Sequence, residues 1–182
     1  MPVYIAMLRG INIGPHKRMK METLRASCAA LGFEQVRTYI QSGNIVLRAG
    51  KLRPEAVSKK LEERIVHDFG FSSDIIIRSK TELEQIVSGN PLLRERGVDQ
   101  SKLHVVFARE APSPAAIRKL ESLTLDPDKV RHVGKEIYFY FPNGVSGSSL
   151  WKHPLDRVLG VPGTMRNWRT VTTLCEMAAE CA

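Results

Sequence analysis

The residues best suited by type and spacing to chemistry fall in two short polar motifs, Arg9-Gly10-Ile11-Asn12 and Gln41-Ser42-Gly43-Asn44, each interrupting an apolar run. Arg9 offers a planar set of donors matched to phosphate or carboxylate; Asn12, Gln41 and Asn44 each donate and accept, and Ser42 adds a hydroxyl. His16, Lys17, Arg18 and Lys20 crowd one loop with no acid among them. This set suits recognition of an anion. The same residue types also serve the backbone alone: Gly10 and Gly43 permit unusual dihedrals, Asn12 and Asn44 are common in turns, and Gln41 can satisfy loop amides. No nucleophile, base or carboxylate pair stands beside them at a recognisable spacing, so catalytic residues are left unassigned.

The surrounding elements explain why the motifs should meet. Val3 to Leu8 is a short apolar run that reads as a buried strand. Met21, Leu24, Cys28 and Leu31 recur at helical spacing, and Gly32 followed by Phe33 reads as a glycine stop with its hydrophobic contact. Val36 to Ile40 and Asn44 to Arg48 form a hairpin turned at Gln-Ser-Gly. Pro54 opens a second helix with Val57, Leu61 and Ile65 inward; Gly70 stops it, and Asp74 to Arg78 is a fourth strand. The order is β-α-β-β-α-β, which predicts a split βαβ, ferredoxin-like layer with strands one and three side by side and antiparallel. That arrangement places Arg9 to Asn12 beside Gln41 to Asn44.

Thr81-x-x-Glu84 reads as a capping box for a short connector helix to about Val87, ended by Gly89-Asn90-Pro91. The element order then repeats: a strand Leu103 to Ala108, a helix opened by Ser113-Pro114, strands Lys129 to Val133 and Glu136 to Phe141, a helix near Leu155 to Leu159, a short strand Gly163 to Arg166, and a final helix capped by Asn167. The expected fold is α+β, with two ferredoxin-like (α-β plait) βαββαβ subdomains plus a connector helix and a C-terminal helix. The expected boundaries are 1–79, a connector over 80–101, and 102–182.

Composition limits the alternatives. The 182 residues are 43% apolar and 25% charged, as expected of a folded chain. Six of the eight excess positive charges lie in residues 1–79. Such a field favours polyanions or phosphorylated small molecules, and it also serves solubility. The three cysteines form no C-x-x-C, the five histidines are scattered, and no metal site or cofactor is expected. Cys28 lies on a buried stripe and reads as a small hydrophobe. No apolar run approaches a membrane span, so a cytoplasmic protein without membrane contact is expected; protein partners are unassigned. The loop Pro142 to Ser149, with Lys152 beyond it, fits an ordinary serine-capped turn better than a phosphate cradle. Tyr138 and Tyr140 alternate with apolar residues and fit packing better than an RNA-stacking platform.

Leu8-Arg9-Gly10-Ile11-Asn12-Ile13-Gly14 and Arg37-Thr38-Tyr39-Ile40-Gln41-Ser42-Gly43-Asn44 resemble the bacterial domain-of-unknown-function family 1697. Gly160-Val161-Pro162-Gly163-Thr164-Met165-Arg166-Asn167-Trp168, with Thr170-Val171, is similar to that family's second signature. Pro15 and His16 depart from it, standing where a glycine and small polar residues are more usual. The resemblance implies two α-β plait subdomains and carries no established reaction. It also draws attention to Arg166, Asn167 and Trp168, where arginine and indole can hold a base or ring by cation-π contact and stacking; a tryptophan opening a helix also serves as a core anchor. The site set is therefore Arg9, Asn12, Lys17, Lys20, Gln41, Ser42, Asn44, Arg166, Asn167 and Trp168. The expected ligand is RNA or a nucleotide-like phosphate compound at the basic edge. The alternatives are an enzyme acting on a phosphorylated metabolite in a cleft between subdomains, with Arg9 and Arg166 stabilising charge, or a protein-interaction scaffold using an open sheet face or strand edge.

Overall fold

A computed structural model describes residues 1–123 and 125–181. It is a mixed α+β protein with two four-stranded antiparallel sheets. Two units divide the chain: Met1–Gln85 together with the segment from Thr172 onward, and Ile86–Val171.

The first unit contains β1 (Val3–Leu8), α1 (Met21–Ala30), β2 (Glu34–Tyr39), β3 (Asn44–Arg48), α2 (Pro54–Phe69) and β4 (Ile75–Ser79), with sheet order β2-β3-β1-β4. β1 is central and buried along its whole length, which explains its unbroken apolar run. Tyr4, Ala6 and Leu8 pack in one cluster with Leu24 and Cys28 of α1 and Val57, Leu61 and Ile65 of α2, so both helices cover the same sheet face. Val3, Ile5 and Met7 on the opposite face are buried too. The β1–β3 register sets Met7 opposite Asn44, the neighbour relation expected from the sequence. β2 begins at Glu34 rather than Val36, because a bulge at Gln35, with φ of 49°, lets two more residues join the edge.

α3 (Lys80–Ser88) follows β4 directly. Its capping box is Ser79-x-x-Glu82, one register earlier than Thr81-x-x-Glu84: the Ser79 N–H donates to Glu82 Oε2 at 2.7 Å, and the Glu82 N–H donates to Ser79 Oγ at 3.2 Å. Ser79 wins because it is the last paired residue of β4, opposite Tyr4, and the chain must turn there.

The second unit contains β5 (Leu103–Ala108), α4 (Pro114–Glu121), β6 (Lys129–Val133), β7 (Glu136–Tyr140), α5 (Leu155–Leu159) and β8 (Gly163–Asn167), with sheet order β6-β7-β5-β8. Val106, Ile137, Phe139 and Phe141 pack with Leu120 of α4 and Val158 of α5, and the Phe139 and Phe141 rings stack with centroids 5.4 Å apart. On the other face Tyr138 is 2% exposed, its hydroxyl donating to the Ile86 carbonyl at 3.2 Å. Tyr138 is therefore packed and not open for stacking, while Tyr140 is half-buried. Asn167 caps α6 (Trp168–Glu180), its Oδ1 accepting from the Thr170 N–H at 2.8 Å.

The two units share their strand-end bonding. The Leu8 N–H donates to the Gly43 carbonyl at 2.8 Å as the Ala108 N–H does to Lys135 at 3.0 Å, and Arg9 bonds the Asp74 carbonyl at 3.0 Å as Arg109 bonds Pro162 at 2.9 Å. The linkers after those strands differ: twelve residues (9–20) separate β1 from α1, and five (109–113) separate β5 from α4.

Candidate functional site

At the C-terminal end of β1 the chain turns through Gly10, at φ 67°, into the long linker. Asn12 then holds the linker to the hairpin. Its Nδ2 donates to the Met19 carbonyl at 2.9 Å and to the Gln41 carbonyl at 2.8 Å, while its Oδ1 accepts from the Met19 N–H at 2.8 Å. The Asn12 N–H also reaches the Lys17 carbonyl at 3.0 Å. Residues 13–18 thus form a compact loop closed at its neck by one amide. Asparagine suits this position because Asn12 sits at φ 54°, where short amide side chains are tolerated better than most.

Asn44 is fully buried at the start of β3, its Nδ2 donating to the Tyr39 carbonyl and to Ser42 Oγ, both at 3.0 Å. Gly43 is required twice over: its φ is 81°, and a Cβ there would lie 2.5 Å from Ile11 Cδ1. Gln41 is exposed and contributes its carbonyl to Asn12. The topology therefore gathers Arg9, Asn12, Lys17, Gln41, Ser42 and Asn44, with much of the amide chemistry spent on shaping the edge.

The segment before β4 also joins this edge, which the motif reading missed. Ser73 Oγ accepts from the Arg9 N–H at 3.2 Å and donates to the Arg9 carbonyl at 2.8 Å. Asp74 lies 3.5 Å from the Arg9 guanidinium, and the Lys17 ammonium donates to the Ser72 carbonyl at 2.8 Å. The usable signal was the strand order itself, since a strand antiparallel to β1 on its second side must begin where β1 ends. Arg18 and Lys20 are exposed on the loop and make no ion pair among the described residues.

Arg166, Asn167 and Trp168 belong to the second unit. Arg166 is 8% exposed; it donates to Thr164 Oγ1 at 2.7 Å and to the Met165 carbonyl at 2.9 Å. Burial pulls its guanidinium down to about 10, still charged at neutral pH. Trp168 is 5% exposed and packs as an anchor. The Pro142 to Ser149 loop forms serine-capped turns, Ser148 Oγ accepting from the Leu150 N–H at 3.0 Å and donating to Asp128 at 2.6 Å.

Asp68 accepts from Ser27 at 2.5 Å and Arg64 at 2.6 Å and lies 2.7 Å from His67 Nδ1. Those contacts, the Ser27 hydroxyl foremost, hold its carboxyl well below the usual range. The aspartate lies between serine and histidine, so among the described residues no imidazole is bonded to the Ser27 hydroxyl, and the group ties α1 to α2. In the second unit, an open cavity of about 620 Å³ borders β6. Its Lys129 and Arg131 are ion-paired with Glu95 at 2.7 and 2.6 Å. Cys28 is buried, which pushes its thiol up to about 12. Among the described residues no group of three or more histidine, cysteine or carboxylate ligands gathers, and no helix is long and apolar enough to cross a membrane.

The loop and hairpin motifs lie within residues 1–138, which match the family model described as "Protein of unknown function (DUF1697)". The chain belongs to that family. The DUF1697 match ends before the Gly160 to Trp168 stretch. A solved structure of a conserved bacterial protein from Streptococcus pneumoniae is similar over 97% of this chain and 98% of its own, with 24% identity and a TM-score of 0.79. At that identity the likeness speaks for the fold. No curated protein matches the chain in sequence.

Proposed function

We propose that this DUF1697 protein binds a phosphate-bearing anion, RNA or a nucleotide-like phosphate compound, at the loop formed by residues 9–20 and the adjoining hairpin turn. The observation that carries this reading is the difference between the linkers. Two units with the same sheet order and the same strand-end hydrogen bonds use twelve residues at one position and five at the other. A five-residue linker is enough for the scaffold, so the longer one is extra structure, and long ordered loops on rigid scaffolds are where binding groups concentrate. Its exposed cations and its closure by Asn12 support the same reading, because a preorganised loop loses less entropy on binding.

The reading also includes two ferredoxin-like plaits in a cytoplasmic protein. The strand order and the placement of α1 and α2 on one sheet face support the plait, and the free cysteines suit a reducing compartment.

The test is binding of labelled single-stranded RNA and of duplex across a salt series, with wild type and Arg18→Ala/Lys20→Ala. Affinity should fall linearly in log salt, with the slope reduced by roughly 1 to 2 in the double variant. Absence of binding at low salt would remove RNA as the ligand and leave small phosphate compounds to be tested, and an unchanged slope would remove Arg18 and Lys20 from the site.

A further inference from the structure

Two isoleucines at this edge are poorly explained by the fold. Ile13 is 75% exposed and Ile40 is 47% exposed. Ile40 is also left-handed, with φ of 51°. A β-branched residue is unfavourable there, and glycine or asparagine would relieve both the backbone and the solvation. Such strain accumulates where a side chain is kept for something outside the fold. Ile13 and Ile40 are the chain neighbours of Asn12 and Gln41, which are joined at 2.8 Å, so both belong to the edge that carries Arg18 and Lys20.

We infer that Ile13 and Ile40 form the apolar half of this site and that its ligand is a nucleotide with an unpaired base. This rests on the anion reading and narrows it. The base face packs on the isoleucines while the phosphate meets Arg18 and Lys20. Inorganic phosphate would use the cations alone, and a duplex hides its base faces in the stack. A free nucleotide and an unpaired stretch of RNA present the same chemistry.

The experiment measures affinity for a short single-stranded RNA, the matching duplex, a ribonucleoside monophosphate, inorganic phosphate and anionic phospholipid vesicles. The proteins are wild type, Ile13→Ser, Ile40→Asn and Arg18→Ala/Lys20→Ala, each with its thermal midpoint. The inference expects Ile13→Ser and Ile40→Asn to weaken single-strand or nucleotide binding about tenfold without changing the salt slope, which belongs to the cations. It also expects Ile40→Asn to raise Tm, the signature of a residue kept at a cost in stability. Competition by the monophosphate would point to a free nucleotide, and binding of the strand alone would point to RNA; either supports the inference. Equal affinity for single strand and duplex, unaffected by the isoleucine changes, would overturn it while leaving the anion site standing. A lowered Tm in Ile40→Asn would overturn it as well. Isoleucine-dependent binding to vesicles without nucleotide binding would assign the patch to a lipid surface instead, and binding to no phosphate probe would remove both readings.

Discussion

Asn12 shows how a residue chosen for its chemistry can turn out to be committed to architecture. Its position after an arginine and a glycine suggested a ligand amide, and the sequence correctly placed it against Gln41. It did not reveal that all three side-chain hydrogen bonds go to backbone, because that depends on where Met19 returns at the far end of the loop. Asn12→Ala should cost about 1 to 3 kcal/mol in urea unfolding, since it strands two carbonyls and one N–H. Asn12→Asp should be at least as harmful at neutral pH, because a carboxylate oxygen would face two carbonyl oxygens, and it should recover in part as acid protonates it. Gly43→Ala should cost roughly 1 to 3 kcal/mol through the combined left-handed φ and the clash with Ile11. The Gly43 requirement was legible as a hairpin glycine. The left-handed Ile40 was not, because no propensity argument places a β-branched residue there.

Among the elements, the capping box separates what a pattern gives from what packing decides. Ser79-x-x-Glu82 and Thr81-x-x-Glu84 both satisfy the same rule, and only the end of β4 selects between them. Ser79→Ala should therefore cost about 1 kcal/mol and Thr81→Ala far less, with Ser79 and Glu82 showing measurable coupling in a double-mutant cycle of chemical unfolding. The strands and helices were legible because their apolar periods were clean and their stops were glycine or proline. The bulge at Gln35 was hidden, since an exposed polar edge residue has no period to break. Ser73 was invisible for a related reason: a lone serine becomes meaningful only when β4 is set beside β1.

The stability of the whole molecule should decline in acid in two stages. Burial holds the His104 imidazole below its ordinary value of 6.5. The unfolded chain therefore takes up that proton first, and stability should begin to fall as pH drops below about 6.5. Asp68 is held below its ordinary range by Ser27, His67 and Arg64. Its contribution is complete above the unfolded carboxylate pKa of about 4 and is lost as pH falls through the lower folded value. Urea midpoints measured between pH 7 and pH 2.5 should show both declines, and Asp68→Asn should reduce the second, to which the lowered Glu95 and Asp99 also contribute, while leaving the first.

The division of the chain also has a temporal meaning. The first unit takes residues from both sides of the second, and Arg37 on its edge strand binds Glu180 at 2.6 Å. On the ribosome, the second unit is synthesised without interruption, whereas the first must wait for Thr172 onward. At typical elongation rates that gap lasts roughly 5 to 20 s. During that interval the basic loop already exists, but the sheet bearing it lacks its closing helical segment. The loop is thus made early while the unit that bears it is completed late, and cotranslational folding measured on stalled chains should show the contiguous unit gaining protection from proteolysis first.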